Sequence, residues 1–178
     1  MGDGNHSLAT AKAVWEEYKK AHSGEADLLN HPARWALVEV ENIYDPGISF
    51  EPIHRVVFGA QPQELLEALS ALSKIKCRPE TQGRVIRIEN LSSELATASL
   101  QPLLDSLVKE KGLSIDYIHG EDELFRLSGN CATGILLPPV QKAGFFETIA
   151  RSGPLPRKSF SMGEAVEKRF YIESRALL

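Results

Sequence analysis

Apolar residues recur first at helical and then at strand spacing along most of this chain, and that alternation confines it to layered folds in which helices cover a sheet. Leu65, Leu66, Leu69, Leu72 and Ile75 line one helical face behind Pro62, which suits a first turn, and residues 84–89 then read as a short strand. Leu100, Leu103, Leu104, Leu107 and Val108 form a second stripe closed by Gly112, followed by a strand at 114–118 and an acidic helix at 121–127. Ile135, Leu136 and Leu137 belong to a buried strand. Pro138-Pro139 halts it and starts a helix that turns Val140, Ala143, Phe146 and Ile149 inward.

Nearer the start, Leu8, Ala11, Trp15 and Tyr18 mark a helix that packs one side inward. Residues 35–43 are predicted as a strand, Asp45-Pro46-Gly47 as a turn, and residues 48–58 as a second extended segment interrupted at Pro52. A last strand is expected at 169–175. The expected fold is α/β, of mixed α+β character: a layered mixed sheet with amphipathic helices packed on it, residues 1–178 forming a single domain.

With 178 residues, 43% of them hydrophobic, the chain can bury a real core. Its formal net charge of -4 argues against a dedicated nucleic-acid binder, which would show a basic face. The charge is uneven: residues 151–178 hold six Lys/Arg against three Glu, a surplus of +3 that leaves -7 on the first 150 residues. An anionic ligand is drawn toward that basic end. Cys77 and Cys131 form no Cys-x-x-Cys pair and read as reduced and structural, and the five histidines show no metal-ligand spacing. No stretch approaches a membrane span and no signal peptide precedes the first helix, so a cytoplasmic location is expected.

Four clusters bear chemistry. In the first, Gly2-Asp3-Gly4-Asn5-His6-Ser7 runs into the first helix, where glycine backbone freedom and open N–H groups suit a phosphate. There the local dipole favours a neutral His6, a candidate base; the plain alternative is a helix cap with His6 solvated. In the second, Glu51-Pro52-Ile53-His54-Arg55, His54 and Arg55 project to opposite faces of an extended segment, so one of them can face a cleft. His54 is a second candidate for proton transfer. The third, Asp116-Tyr117-Ile118-His119-Gly120, ends a strand where α/β sheets bind ligands, although the acidic residues after it suit a helix start better than a phosphate. The fourth holds Arg157, Lys158 and Ser159, donors that bind phosphate or carboxylate if the loop folds back onto the body; a solvated basic loop is the alternative.

Asp3-Gly4-Asn5-His6-Ser7, then Asp45-Pro46-Gly47 with Pro52-Ile53-His54-Arg55, then Leu155-Pro156-Arg157-Lys158-Ser159-Phe160, together resemble the domain of unknown function 1015 family of prokaryotes. Most members carry Asp-Gly-His-His-Arg at the first motif, where this chain has Asn5 and Ser7 in place of a histidine and the arginine. Members are usually about twice as long, so the resemblance implies a carboxy-terminal part of a longer chain. The first motif is in turn remotely similar to the glycine-containing loop of the ParB and sulfiredoxin-like nucleotide-binding superfamily. That likeness implies Gly4, Asn5, His6 and Ser7 as a phosphate loop, magnesium near Asp3, and a nucleotide or phosphorylated small molecule as ligand, with phosphoryl transfer as the reaction. On this reading Arg55, Arg157, Lys158 and Ser159 add ligand contacts. The competing expectation is a non-catalytic interaction or regulatory module, completed by a missing segment, a partner chain or a second copy.

Overall fold

The computed structural model describes residues 4–81, 84–90, 96–129 and 131–163. Its described residues fall into two compact units, one within residues 4–42 and one within residues 43–163.

The first unit holds helix α1 (Asn5–Ala21) and two short 3-10 turns, Leu28–Asn30 and Pro32–Arg34. Gly4 caps α1 in the left-handed region at φ 80°, a conformation that only glycine adopts without strain. The inward-packing face expected of α1 is not there: none of its side chains is buried. Its rings stack on one another instead. Tyr18 lies 4.0 Å from His22 and 4.5 Å from His31 between centroids, and Trp15 stacks 6.0 Å from His31. The strand predicted at 35–43 is also absent. Those residues join no ladder among the described residues, and Trp35, Leu37, Val38 and Val40 are exposed, Leu37 to 98%. β-Branched alternation gives a segment the capacity to pair, but only a partner edge makes it a strand.

The second unit is the layered mixed α/β fold that the periodicity predicts. Strands β1 (Phe50–Phe58), β2 (Ile75–Pro79), β3 (Val85–Asn90), β4 (Ser114–His119) and β5 (Ala132–Leu136) lie in the order β2-β3-β5-β1-β4. Among the described residues only the β3–β5 pair is parallel. The short β6 (Phe160–Met162) pairs antiparallel with the start of β1, placing Phe160 across from Pro52. Pro52 therefore lies inside a continuous strand rather than breaking it.

Helices α2 (Pro62–Ser70), α3 (Ala96–Lys111), α4 (Glu121–Leu127) and α5 (Phe145–Ser152) complete the unit. Pro62 opens α2 as expected, while the predicted helical run to Ile75 stops at Ser70 because Ile75 begins β2. Likewise α5 starts at Phe145, after Gly144 at φ 72°, and not directly behind Pro138-Pro139. The predicted strand at 169–175 lies outside the described residues.

Strand alternation divides the core. Val57, Ile86, Ile88 and Ile135 face Leu65 and Leu69 of α2 and Leu100 and Leu104 of α3; Val56, Val85 and Leu136 face Leu124 of α4. Each fully buried leucine contributes about 1.5–3 kcal/mol, so β1, with neighbours on both edges and cover on both faces, is the most tightly held element. His54 and Arg55 sit in the middle of it.

Candidate functional site

Alternation along β1 sends His54 and Arg55 to opposite sides, and both are buried, Arg55 completely. Nδ1 of His54 accepts a hydrogen bond from the Leu137 backbone N–H at 3.1 Å, so the ring is neutral with its proton on the other nitrogen. Burial, then the positive charge of Arg55 and then His119, push the His54 pKa down to about 4. His54 is thus a structural acceptor at neutral pH, and the titration near neutrality wanted of a base does not occur there.

Arg55 is in a different position. Its Nε donates to Oε1 of Gln101 at 3.2 Å, and its Nη1 donates to the backbone carbonyls of Ile53 and His54. Nη2 is buried with no hydrogen-bond partner, and no carboxylate ion-pairs with this guanidinium among the described residues. Burial pushes its pKa down to about 10; the Tyr117 phenol and Asp105 raise it, while Arg157 lowers it. An arginine without a counter-ion in a protein interior carries a large desolvation penalty, which an anion is able to offset.

The surroundings organise Arg55 tightly. Gln101, on α3, passes the contact on by donating to Asp105 Oδ1 at 2.9 Å and to the Tyr117 hydroxyl at 3.2 Å. The Arg55 guanidinium lies 4.5 Å from the Tyr117 ring centroid and that of Arg157 lies 5.6 Å from the same centroid. Two guanidiniums thus share one aromatic ring although like charges repel, with an exposed Asp105 as the nearby carboxylate. This donor-rich set fits an anion and not a bare divalent cation, which needs several oxygen ligands.

The predicted site residues therefore divide. His54, Arg55, Arg157, Lys158 and Ser159 belong to the second unit, where the structure brings Arg55 and Arg157 to the same ring. Lys158 is exposed, in the left-handed region at φ 56°, and Ser159 is buried with its hydroxyl donating to the Pro156 carbonyl at 2.6 Å. Gly4, Asn5, His6 and Ser7 belong to the first unit and are exposed. Asp3 lies outside the described residues, and among those described no group of three or more His, Cys, Asp or Glu is placed to hold a metal ion. No helix of the described residues is long and apolar enough to cross a membrane.

Sequence reasoning missed Gln101 and Thr97. The signal was present: Thr97, Gln101, Leu104 and Val108 recur at helical spacing, so two polar residues continue an apolar stripe into the interior.

A family model described as "Protein of unknown function (DUF1015)" matches residues 1–125. The chain belongs to that family. The DUF1015 match takes in α1, β1 with His54 and Arg55, α3 with Thr97 and Gln101, and β4 with Tyr117, whereas Arg157 and Ser159 fall beyond it. No curated protein and no solved structure matches the chain.

Proposed function

We propose that the second unit binds a small phosphate-bearing molecule, with Arg55 and Arg157 as the charged donors and Tyr117 and Gln101 holding Arg55 in place. The single observation behind this is the buried Nη2 of Arg55, which has no partner among the described residues in a site where a second guanidinium approaches. Buried polar groups in native proteins are nearly always paired, so an orphan donor on a cation points to a partner that is not part of the chain. Nucleotides and phosphorylated metabolites both satisfy that requirement.

Phosphoryl transfer rests on a separate support, the likeness of the Gly4, Asn5, His6 and Ser7 loop to the ParB and sulfiredoxin-like superfamily. His6 is the candidate base for it, because His54 is held neutral and engaged. Equilibrium dialysis with labelled inorganic phosphate, pyrophosphate and ATP, with and without magnesium, tests the binding. Saturable binding is expected in the native chain and a loss of at least about 30-fold in Arg55→Met, in line with removal of one buried charged donor. Absence of saturable binding at millimolar ligand would reject it. A transfer assay with His6→Ala tests the chemistry separately.

A second reading has its own observation. Leu37, Val38 and Val40 are exposed in a stretch with strand-forming composition that joins no ladder among the described residues, which is the property of a segment that pairs with another chain. On that reading the chain is an interaction module, and light scattering that shows a dimer lost in Val38→Lys supports it.

A further inference from the structure

Gln101 stands where a buried arginine ordinarily meets a carboxylate. It is 4% exposed on α3, and its Oε1 accepts from Arg55 Nε at 3.2 Å. Its Nε2 donates to Asp105 Oδ1 at 2.9 Å and to the Tyr117 hydroxyl at 3.2 Å. An ionised carboxylate only accepts hydrogen bonds, so the Asp105 contact claims the amide nitrogen and leaves the amide oxygen for Arg55. The amide therefore has one orientation.

The charges are placed against the usual pattern. A glutamate differs from glutamine by one terminal atom, and at this position it would give Arg55 an ion pair, the arrangement that commonly accompanies an arginine in a protein interior. The chain instead puts a neutral acceptor inside and the carboxylate one helical turn further along α3, at the exposed Asp105. Asp105 is near enough to raise the Arg55 pKa, yet the Gln101 amide lies between the two in the hydrogen-bonded chain. One donor of the guanidinium is thus satisfied while its charge is not, and Nη2 still lacks a partner among the described residues.

We infer that Gln101 is a positioning residue that sets the charge selectivity of this site: its neutral oxygen orients Arg55 without neutralising it, and Asp105 fixes the amide so that no carboxylate of the chain takes the place of a ligand anion. This role rests on the anion site at Arg55 and names the group that keeps that site open.

Transposing the two side-chain groups tests it, because Gln101→Glu combined with Asp105→Asn moves the carboxylate next to Arg55 at constant net charge and keeps an amide donor beside it. Calorimetry with inorganic phosphate and thermal unfolding are run on the full chain for the native protein, Asp105→Asn and the double variant. Asp105→Asn should bind phosphate about twofold more tightly than the native protein, since an exposed repelling charge is removed. The double variant should bind at least about tenfold more weakly than Asp105→Asn, the worth of one charge-assisted hydrogen bond, with a Tm no lower than that of Asp105→Asn. Equal phosphate affinity in the two variants would overturn the role of Gln101 while the anion site stands. A loss of affinity accompanied by a Tm several degrees lower would also overturn it, making Gln101 a structural residue. If neither the native protein nor Asp105→Asn binds phosphate at millimolar concentration, the anion site itself is refuted and the role of Gln101 with it.

Discussion

Helix α1 has 17 residues and buries none of them, whereas β1 has nine and buries six. The sequence marks the first as a helix with one apolar side and the second as an extended segment interrupted at Pro52, and both contain a histidine singled out for chemistry. The difference lies in what an unpaired polar group means in each place. His6 at the start of α1 is exposed, where water satisfies any donor or acceptor, so the absence of a protein partner would carry no information. Arg55 in β1 is shut off from bulk solvent, and an Nη2 without a partner among the described residues is a statement about the molecule. A binding site is legible from structure where burial is complete, and legible mainly from resemblance where it is not.

The most forceful way to break this contrast is to cut the core that encloses β1. Leu104→Ala, at a fully buried position on α3, should destabilise the protein by about 2–5 kcal/mol in urea unfolding. A value under 1 kcal/mol would show that the second unit is looser than its burial suggests. Gly134→Ala on β5 should cost about 1–3 kcal/mol, since an added methyl group meets the Ser128 hydroxyl and crowds Val85 and Leu124 at 3.1 and 3.2 Å.

The next effect depends on pH. His54 is held neutral, its folded pKa near 4 lying below the ordinary 6.5. Its stabilising contribution is therefore complete above pH 6.5 and declines as pH falls through 6.5 toward 4, by at most about 1.4 kcal/mol per pH unit. Between pH 6.5 and pH 5 the loss should approach about 2 kcal/mol, and His54→Gln, whose amide oxygen can still accept from Leu137, should flatten that slope. Urea titrations of both proteins across the range check it; parallel slopes would place the His54 ring in water. The smallest effect is expected in the first unit, where Trp15→Ala should change the stability of the main unfolding transition by under about 1 kcal/mol.

The sequence carried the second unit well. Helical spacing located α2 and α3, where the periodic face and the buried face coincide, and short runs between the helices located β3, β4, the acidic α4 and part of β5. It failed at Ile75, which continues a helical stripe but starts β2, since a stripe does not say where the helix ends. It failed also at 35–43, where β propensity is local and pairing is not. Of the arginine site, Arg55 and Arg157 were visible as donors; their meeting at Tyr117 was not, because 102 positions of sequence separate them and only the fold of β1, β4 and the following loop brings them to one ring.

Thermal unfolding in rising inorganic phosphate at fixed ionic strength tests the Arg55 site most directly, with the native chain beside Arg55→Met. Without ligand, Arg55→Met should be at least as stable as the native protein, because a charge buried without a counter-ion has been removed. Phosphate should raise the Tm of the native protein, the rise growing with the logarithm of phosphate concentration above its Kd, and leave that of Arg55→Met unchanged. Equal responses of the two proteins, or an Arg55→Met chain that is several degrees less stable with no phosphate effect on either, would make Arg55 a purely structural residue and contradict an anion site in the second unit.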